Sequence, residues 1–185
     1  MPNQDTAEGR LPGDPTPRDY VARTIRVDHA GEYGAKRIYE GQLAVLGRTR
    51  YRPILEHMKA QEQVHLDTFA RLIAKRRVRP TALLPIWHLA GFVLGAGTAL
   101  LGHRAAMACT VAVEEAIDEH YRDQAATLGD DEAELRADIE RFRAEELEHR
   151  DIGLENEAEQ APAYRLLSAA IKAGCKVAIK VSERV

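Results

Sequence analysis

Two pairs of residues in this chain have the spacing of metal ligands: Glu62-x-x-His65 and Glu146-x-x-His149. In an α-helix, residues three apart share a face, so each pair can offer one ion a carboxylate oxygen and an imidazole nitrogen. One such pair is weak evidence. With 29 acidic residues and 7 histidines in the chain, a chance match is about an even bet, and surface ion pairs or a satisfied core histidine explain it as well.

Periodicity separates these residues from their charged neighbours. Glu62 and His65 share a helical stripe with Leu55, Met58, Leu66 and Phe69, and Glu146 and His149 share one with Leu135, Ile139 and Phe142. Polar groups inside apolar stripes are aimed at a core. Glu145 instead lines up with Asp138, Arg141 and Glu148, a face expected to be solvated. Two further carboxylates interrupt apolar stripes: Glu32 aligns with Ile25, His29, Ala35 and Tyr39, and Glu114 with Met107, Val111, Ile117 and Tyr121. Glu115 aligns with Glu119 and Arg122 and is set aside. A helical bundle that holds two metals in its core needs such a set, with one Glu from each of two helices and a Glu/His pair from each of the others. Four carboxylates against two divalent cations sum to zero charge, which makes burial tolerable. Oxygen-rich ligation with two imidazoles and no thiolate suits iron or manganese better than structural zinc.

The elements that must carry these residues are helices, since no stretch alternates with the period of a strand. Helices are expected from about Asp19 to Leu46, Pro53 to Arg76, Arg104 to Leu128, Asp131 to Glu157 and Pro162 to Val181, with Gly129 ending one and Asp130 capping the next. Residues 1–17 read as a disordered lead-in and 18–185 as a single domain. Glu32 stands 30 residues before Glu62, and Glu114 stands 32 before Glu146. Each half therefore reads as one helical hairpin. From Thr81 to Gly102 there is no Asp, Glu, Lys or Arg, and that run is long enough to cross a bilayer if fully helical. A crossing would put the two hairpins on opposite sides and keep the six residues apart, so the run is expected to lie in the interface or dip into one leaflet, with Trp87 and His88 at headgroup level. Its other reading is a buried helix or an interface between copies of the chain, and Gly91-x-x-x-Gly95 is a loose match to a small-residue packing motif.

The formal charge of −3 with a sequence pI near 6.2, and Lys and Arg scattered along the chain, give no basis for nucleic-acid binding. Cys109 and Cys175 lack a CxxC partner, which excludes a disulfide framework or zinc finger and points to a reducing compartment. The first residues show neither a secretory h-region nor an Arg-rich transit pattern. A storage or peroxide-detoxifying bundle would share the ligand pattern. Against it stand the lack of a rubredoxin-type cysteine set and the presence of the apolar run.

The strings RVDHAGEYGAKRIYEGQ, AQEQVHL, ACTVAVEEAIDEHY and EELEHRDIGLENEAEQAPAY, with RVRPTALLPIWHLAGFVLGAGTALLG and the ending AGCKVAIKVSERV, closely resemble the demethoxyubiquinone hydroxylase family from about Asp19 onward. The resemblance implies an all-α, ferritin-like four-helix bundle with added membrane-associating and C-terminal helices. It implies a di-iron monooxygenase that uses O₂ to hydroxylate the ring of a polyprenylated demethoxy-ubiquinol in ubiquinone biosynthesis. The family's ligand positions fall on Glu32, Glu62, His65, Glu114, Glu146 and His149. NADH is the reductant it suggests, although the chain has no glycine-rich nucleotide fingerprint. It also suggests a membrane surface and, in some lineages, a lipid-binding accessory protein as partners. The implied place is the cytoplasmic face of a bacterial membrane, or alternatively the matrix face of the mitochondrial inner membrane. Tyr121 is a candidate relay for electrons or protons and His120 for orienting it or the substrate; Arg23 and His29 are secondary candidates. For all four, simple packing in the bundle is the competing reading.

Overall fold

A computed structural model describes residues 16–185; the expected lead-in, apart from its last two positions, lies outside the described residues. Among the described residues there are six α-helices and no strand: α1 (Pro17–Leu46), α2 (Arg52–Arg76), α3 (Leu84–Leu100), α4 (His103–Thr127), α5 (Ala133–Glu155) and α6 (Tyr164–Ser182). Helix α1 starts at a capping box. Thr16 Oγ1 accepts from the Asp19 N–H, and the Asp19 carboxylate accepts from the Thr16 N–H, while Pro17 occupies the first turn, where its missing N–H costs nothing. Helix α2 ends at Arg77, whose φ of 54° leaves the helical region.

Two starts differ from the sequence reading. Asp130 does not cap α5: Asp130–Glu132 form a short 3-10 turn, and the Asp130 side chain accepts from Arg136 instead. Helix α6 begins at Tyr164, later than Pro162, because Ala163 sits in the left-handed region at φ 52° after a 3-10 turn at Ala158–Gln160.

Helices α1 and α2 form one hairpin and α4 and α5 the other, while α3 lies along α1 and α6 along α4. The core holds three apolar clusters, of which the smallest gathers Ile38, Cys109, Ala112, Val113 and Ile171 toward α6 and the other two lie along the four-helix bundle. One gathers Leu46, Leu55, Met58, Met107 and Val111; the other gathers Val21, Ile25, Phe69, Leu135, Ile139 and Phe142. The fully buried side chains among them each contribute roughly 1.5–3 kcal/mol of transfer free energy.

The uncharged run folds as a turn followed by α3, so its helix is shorter than the run. No helix of the described residues is long and apolar enough to cross a membrane. One face of α3 is built of Gly91, Gly95, Thr98 and Ala99 and is buried. It presses on α1 so closely that a Cβ on Gly95 would stand 2.0 Å from the Ile38 carbonyl oxygen, and one on Gly41 of α1 would stand 2.2 Å from that of Phe92. The opposite face, with Ile86, Leu89, Val93 and Leu100, is exposed. Trp87 is half-buried, its indole N–H donating to Ser182 Oγ, while His88 is exposed, its imidazole pairing with the Tyr33 hydroxyl at 2.6 Å.

This contact makes a clear stability test. Gly95→Ala should destabilise the protein by about 1–3 kcal/mol or more, because both sides of the clash are helix backbone. Gly97→Ala, where a Cβ meets nothing within 4 Å, should be neutral or stabilising by up to about 1 kcal/mol. Denaturant melts of the two variants beside the parent protein check the pair.

Candidate metal centre

Glu32 on α1, Glu62 and His65 on α2, Glu114 on α4, and Glu146 and His149 on α5 meet at mid-bundle between the two apolar clusters, each at most 1% exposed. Their ligand-capable atoms form two overlapping groups, each lying within 4.8 Å: Glu32, Glu62, His65 and Glu146 in one, and Glu62, Glu114, Glu146 and His149 in the other. Glu62 and Glu146 belong to both. His65 Nδ1 lies 3.2 Å from Glu146 and 3.4 Å from Glu32, and His149 Nδ1 lies 3.2 Å from Glu62 and 3.4 Å from Glu146.

The inward atoms of this cluster have no hydrogen-bond partners among the described residues. Both oxygens of Glu62 and of Glu146, Oε2 of Glu32 and of Glu114, and Nδ1 of His65 and of His149 are buried and unsatisfied. Each such atom costs on the order of 1–3 kcal/mol, and buried carboxylates facing one another repel as well. Two divalent cations would satisfy all eight atoms and cancel the four charges. The donor set therefore fits a pair of metal ions.

Without metal the protonation states shift in compensation. Burial, and then the facing carboxylates, push Glu62 and Glu114 well above the usual carboxylate range. Burial opposes protonation of His65, but Glu146 and Glu32 outweigh it and raise the imidazole to about 12. His149 is raised in the same way by Glu146 and Glu114. Burial alone would raise Glu146 too, yet the two imidazoles beside it, with Nδ1 atoms 3.2 Å (His65) and 3.4 Å (His149) away, hold it below the normal value.

A ring of outer partners fixes the cluster. The Tyr39 hydroxyl on α1 donates to Glu114 on α4 at 2.6 Å, and the Tyr121 hydroxyl on α4 donates to Glu32 on α1. Each tyrosine stands seven residues beyond the Glu of its own helix. Glu145 Oε2 lies 2.6 Å from His65 Nε2, and Gln61 Oε1 lies 2.9 Å from His149 Nε2. Glu145 is thus not on a solvated face but turned toward the opposite hairpin. The roles of Glu145, Gln61 and Tyr39 as partners escaped the periodicity reading, which sorts residues by the face of their own helix. The signal available was position: Gln61 and Glu145 each directly precede the Glu of a Glu/His pair.

Other sequence candidates lie farther out. His120 reaches Asp28, at 3.2 Å, and Gln124 rather than any of the six. His29 keeps a buried, unpaired Nδ1, and Arg23 is half-buried. Glu115 points away from the cluster and pairs with Lys172 of α6.

Comparison with known proteins adds the family. Residues 19–182 match the family described as "Ubiquinone biosynthesis protein COQ7". The chain is 66% identical over 181 residues, covering 97% of it and 85% of the relative, to the "3-demethoxyubiquinol 3-hydroxylase" of Rhodospirillum rubrum. It is 57% identical over 172 residues to the "NADPH-dependent 3-demethoxyubiquinone 3-hydroxylase, mitochondrial" of Homo sapiens, covering 91% of the chain and 79% of the relative. With the "5-demethoxyubiquinone hydroxylase, mitochondrial" of Saccharomyces cerevisiae, identity is 41% over 184 residues, covering 90% and 78% respectively.

The shifted protonation states set the sign of a pH effect. With His65 raised to about 12, metal-free protein holds a proton on the His65 nitrogen that faces the cluster, and a divalent ion must displace it. Metal uptake at pH 7 should therefore release protons, and apparent affinity should rise from pH 6 to pH 8. Calorimetric titration in buffers of different ionisation enthalpy checks this; uptake without proton release would contradict it.

Proposed function

The chain belongs to the family of the ubiquinone biosynthesis protein COQ7, and on that premise we propose that it is a di-iron, O₂-dependent hydroxylase acting on the ring of a demethoxy-ubiquinol precursor. The observation that carries this reading is the set of six buried residues whose eight inward atoms have no hydrogen-bond partner among the described residues. In this reading residues 18–185 form a single ferritin-like di-iron domain.

In this reading Glu32, Glu62, His65 and Glu146 would hold one ion and Glu62, Glu114, Glu146 and His149 the other, the two groups having Glu62 and Glu146 in common. The bound irons supply reductive activation of O₂, which carboxylates and imidazoles cannot perform by themselves. The protein's own part is positional. Tyr39 and Tyr121 each occupy one oxygen of a terminal glutamate and leave its second oxygen turned to the centre, so the carboxylates are held in place before any ion arrives. The apolar clusters on either side shield the centre from water. Electrons come from a reduced nicotinamide nucleotide. The human relative's name specifies NADPH, where the family resemblance implies NADH.

The substrate's long isoprenoid tail needs an apolar approach. Exposed Ile86, Leu89 and Val93 of α3, with Leu100 and Leu101 beyond them and Leu166 and Val177 of α6, offer a surface that rests on one leaflet without crossing it. The membrane face is the cytoplasmic one in a bacterium; several relatives are named as mitochondrial, where the corresponding face is that of the matrix.

Anaerobic reconstitution with Fe(II), then addition of a demethoxy-quinone, NADPH or NADH, and O₂, should give the ring-hydroxylated product by mass spectrometry. Fully loaded protein that makes none would sink the reading. Glu62→Ala and Glu146→Ala should each lower turnover by more than the roughly 10–100-fold typical of losing an outer partner. Leu89→Glu together with Val93→Glu should weaken co-sedimentation with liposomes while leaving the helical circular dichroism intact.

A further inference from the structure

The surroundings of the cluster repeat from one half of the chain to the other, and the repeat breaks at three positions. Asp28, Glu32, Tyr39 and Gln42 on α1 correspond to Thr110, Glu114, Tyr121 and Gln124 on α4 at a constant offset, and the bonds correspond too. Gln42 Nε2 donates to Thr110 as Gln124 Nε2 donates to Asp28. Gln61 serves His149 as Glu145 serves His65. The breaks are these: Thr110 becomes Asp28, Gln61 becomes Glu145, and Ile38 becomes His120. All three more polar members stand on the side of Glu32 and His65. That side also carries Phe69 and Phe142, with the Phe142 ring 4.1 Å from that of His65. The side of Glu114 and His149 has an amide, a hydroxyl and an aliphatic chain in the corresponding places.

A carboxylate accepting from one nitrogen of an imidazole makes the other nitrogen a stronger donor to metal than a neutral amide does, and it fixes the ring's orientation more firmly. The two bond lengths, 2.6 Å for the Glu145 contact and 2.9 Å for the Gln61 contact, follow that order. Buried Asp28, one turn from Glu32, adds a further carboxyl group on the same side, bonded by Gln124 and beside His120. We infer that the two metal positions are unequal, and that Glu145 is the positioning residue which makes the Glu32–His65 position the tighter and first filled.

This inference rests on the di-iron reading, and the test separates the two. Metal-free protein is titrated anaerobically with ⁵⁷Fe(II), with calorimetry for affinities and Mössbauer spectra at one and two equivalents for the environments. The parent protein should take up two ions in steps whose affinities differ by about 10–100-fold, with one quadrupole doublet at the first equivalent and a second appearing afterwards. Glu145→Gln should weaken the first step by that factor and bring the two together. Gln61→Glu should strengthen the second step, a gain that a merely misfolded variant cannot give. If the parent protein binds two ions and both variants keep its affinities and doublets, the inference is overturned while the di-iron reading stands. Failure of the parent protein to take up iron at all overturns both.

Discussion

Four carboxylates and two imidazoles packed together at mid-bundle, shut away from water, are what the rest of this structure must accommodate. Left as they are, they combine repulsion between like charges with unmet hydrogen-bonding capacity in a medium of low polarity. Without metal the cluster compensates with protons: the imidazoles gain affinity for them, Glu62 and Glu114 are pushed toward neutrality, and Glu146 is held below the ordinary carboxylate value by the two imidazoles beside it. Such a cluster is destabilising as a structural element. Its retention makes physical sense as a place for cations.

Holding the cluster requires both hairpins at once. Each terminal glutamate is bonded by a tyrosine from the opposite hairpin, and each imidazole by a side chain from the opposite hairpin. The polar contacts therefore cross the interface between the two halves, so the order of the site and the docking of the halves are coupled. The apolar clusters above and below supply the burial that drives docking, and the crossed bonds fix its register.

Helix α3 joins the same construction from outside. Its small-residue face allows backbone to approach the backbone of α1, the helix that carries Glu32, Tyr39 and Asp28. Its bulky residues are displaced to the other face, where none of the described residues covers them. One helix thus braces the site on one side and presents an apolar surface on the other. The glycines have a packing role here that sequence propensity alone would have counted as a weakness.

The helices, the pairing of the halves, and the stripes on which Glu32, Glu62, His65, Glu114, Glu146 and His149 lie were all legible in the sequence, because burial of one face imposes a period that local spacing reports directly. Capping was less legible: Asp130 has the right chemistry for a cap, yet the chain spends it in a 3-10 turn and a bond to Arg136. Tertiary structure alone decided that the six side chains meet, that Glu145 turns toward His65 instead of solvent, and that Tyr39 and Tyr121 exchange partners across the hairpins. A helical period tells which residues share a face but not what lies opposite, since the identity of an opposing side chain depends on the crossing angle and register of two helices far apart in sequence. The sequence by itself determined which residues face the core; packing determined which of them touch.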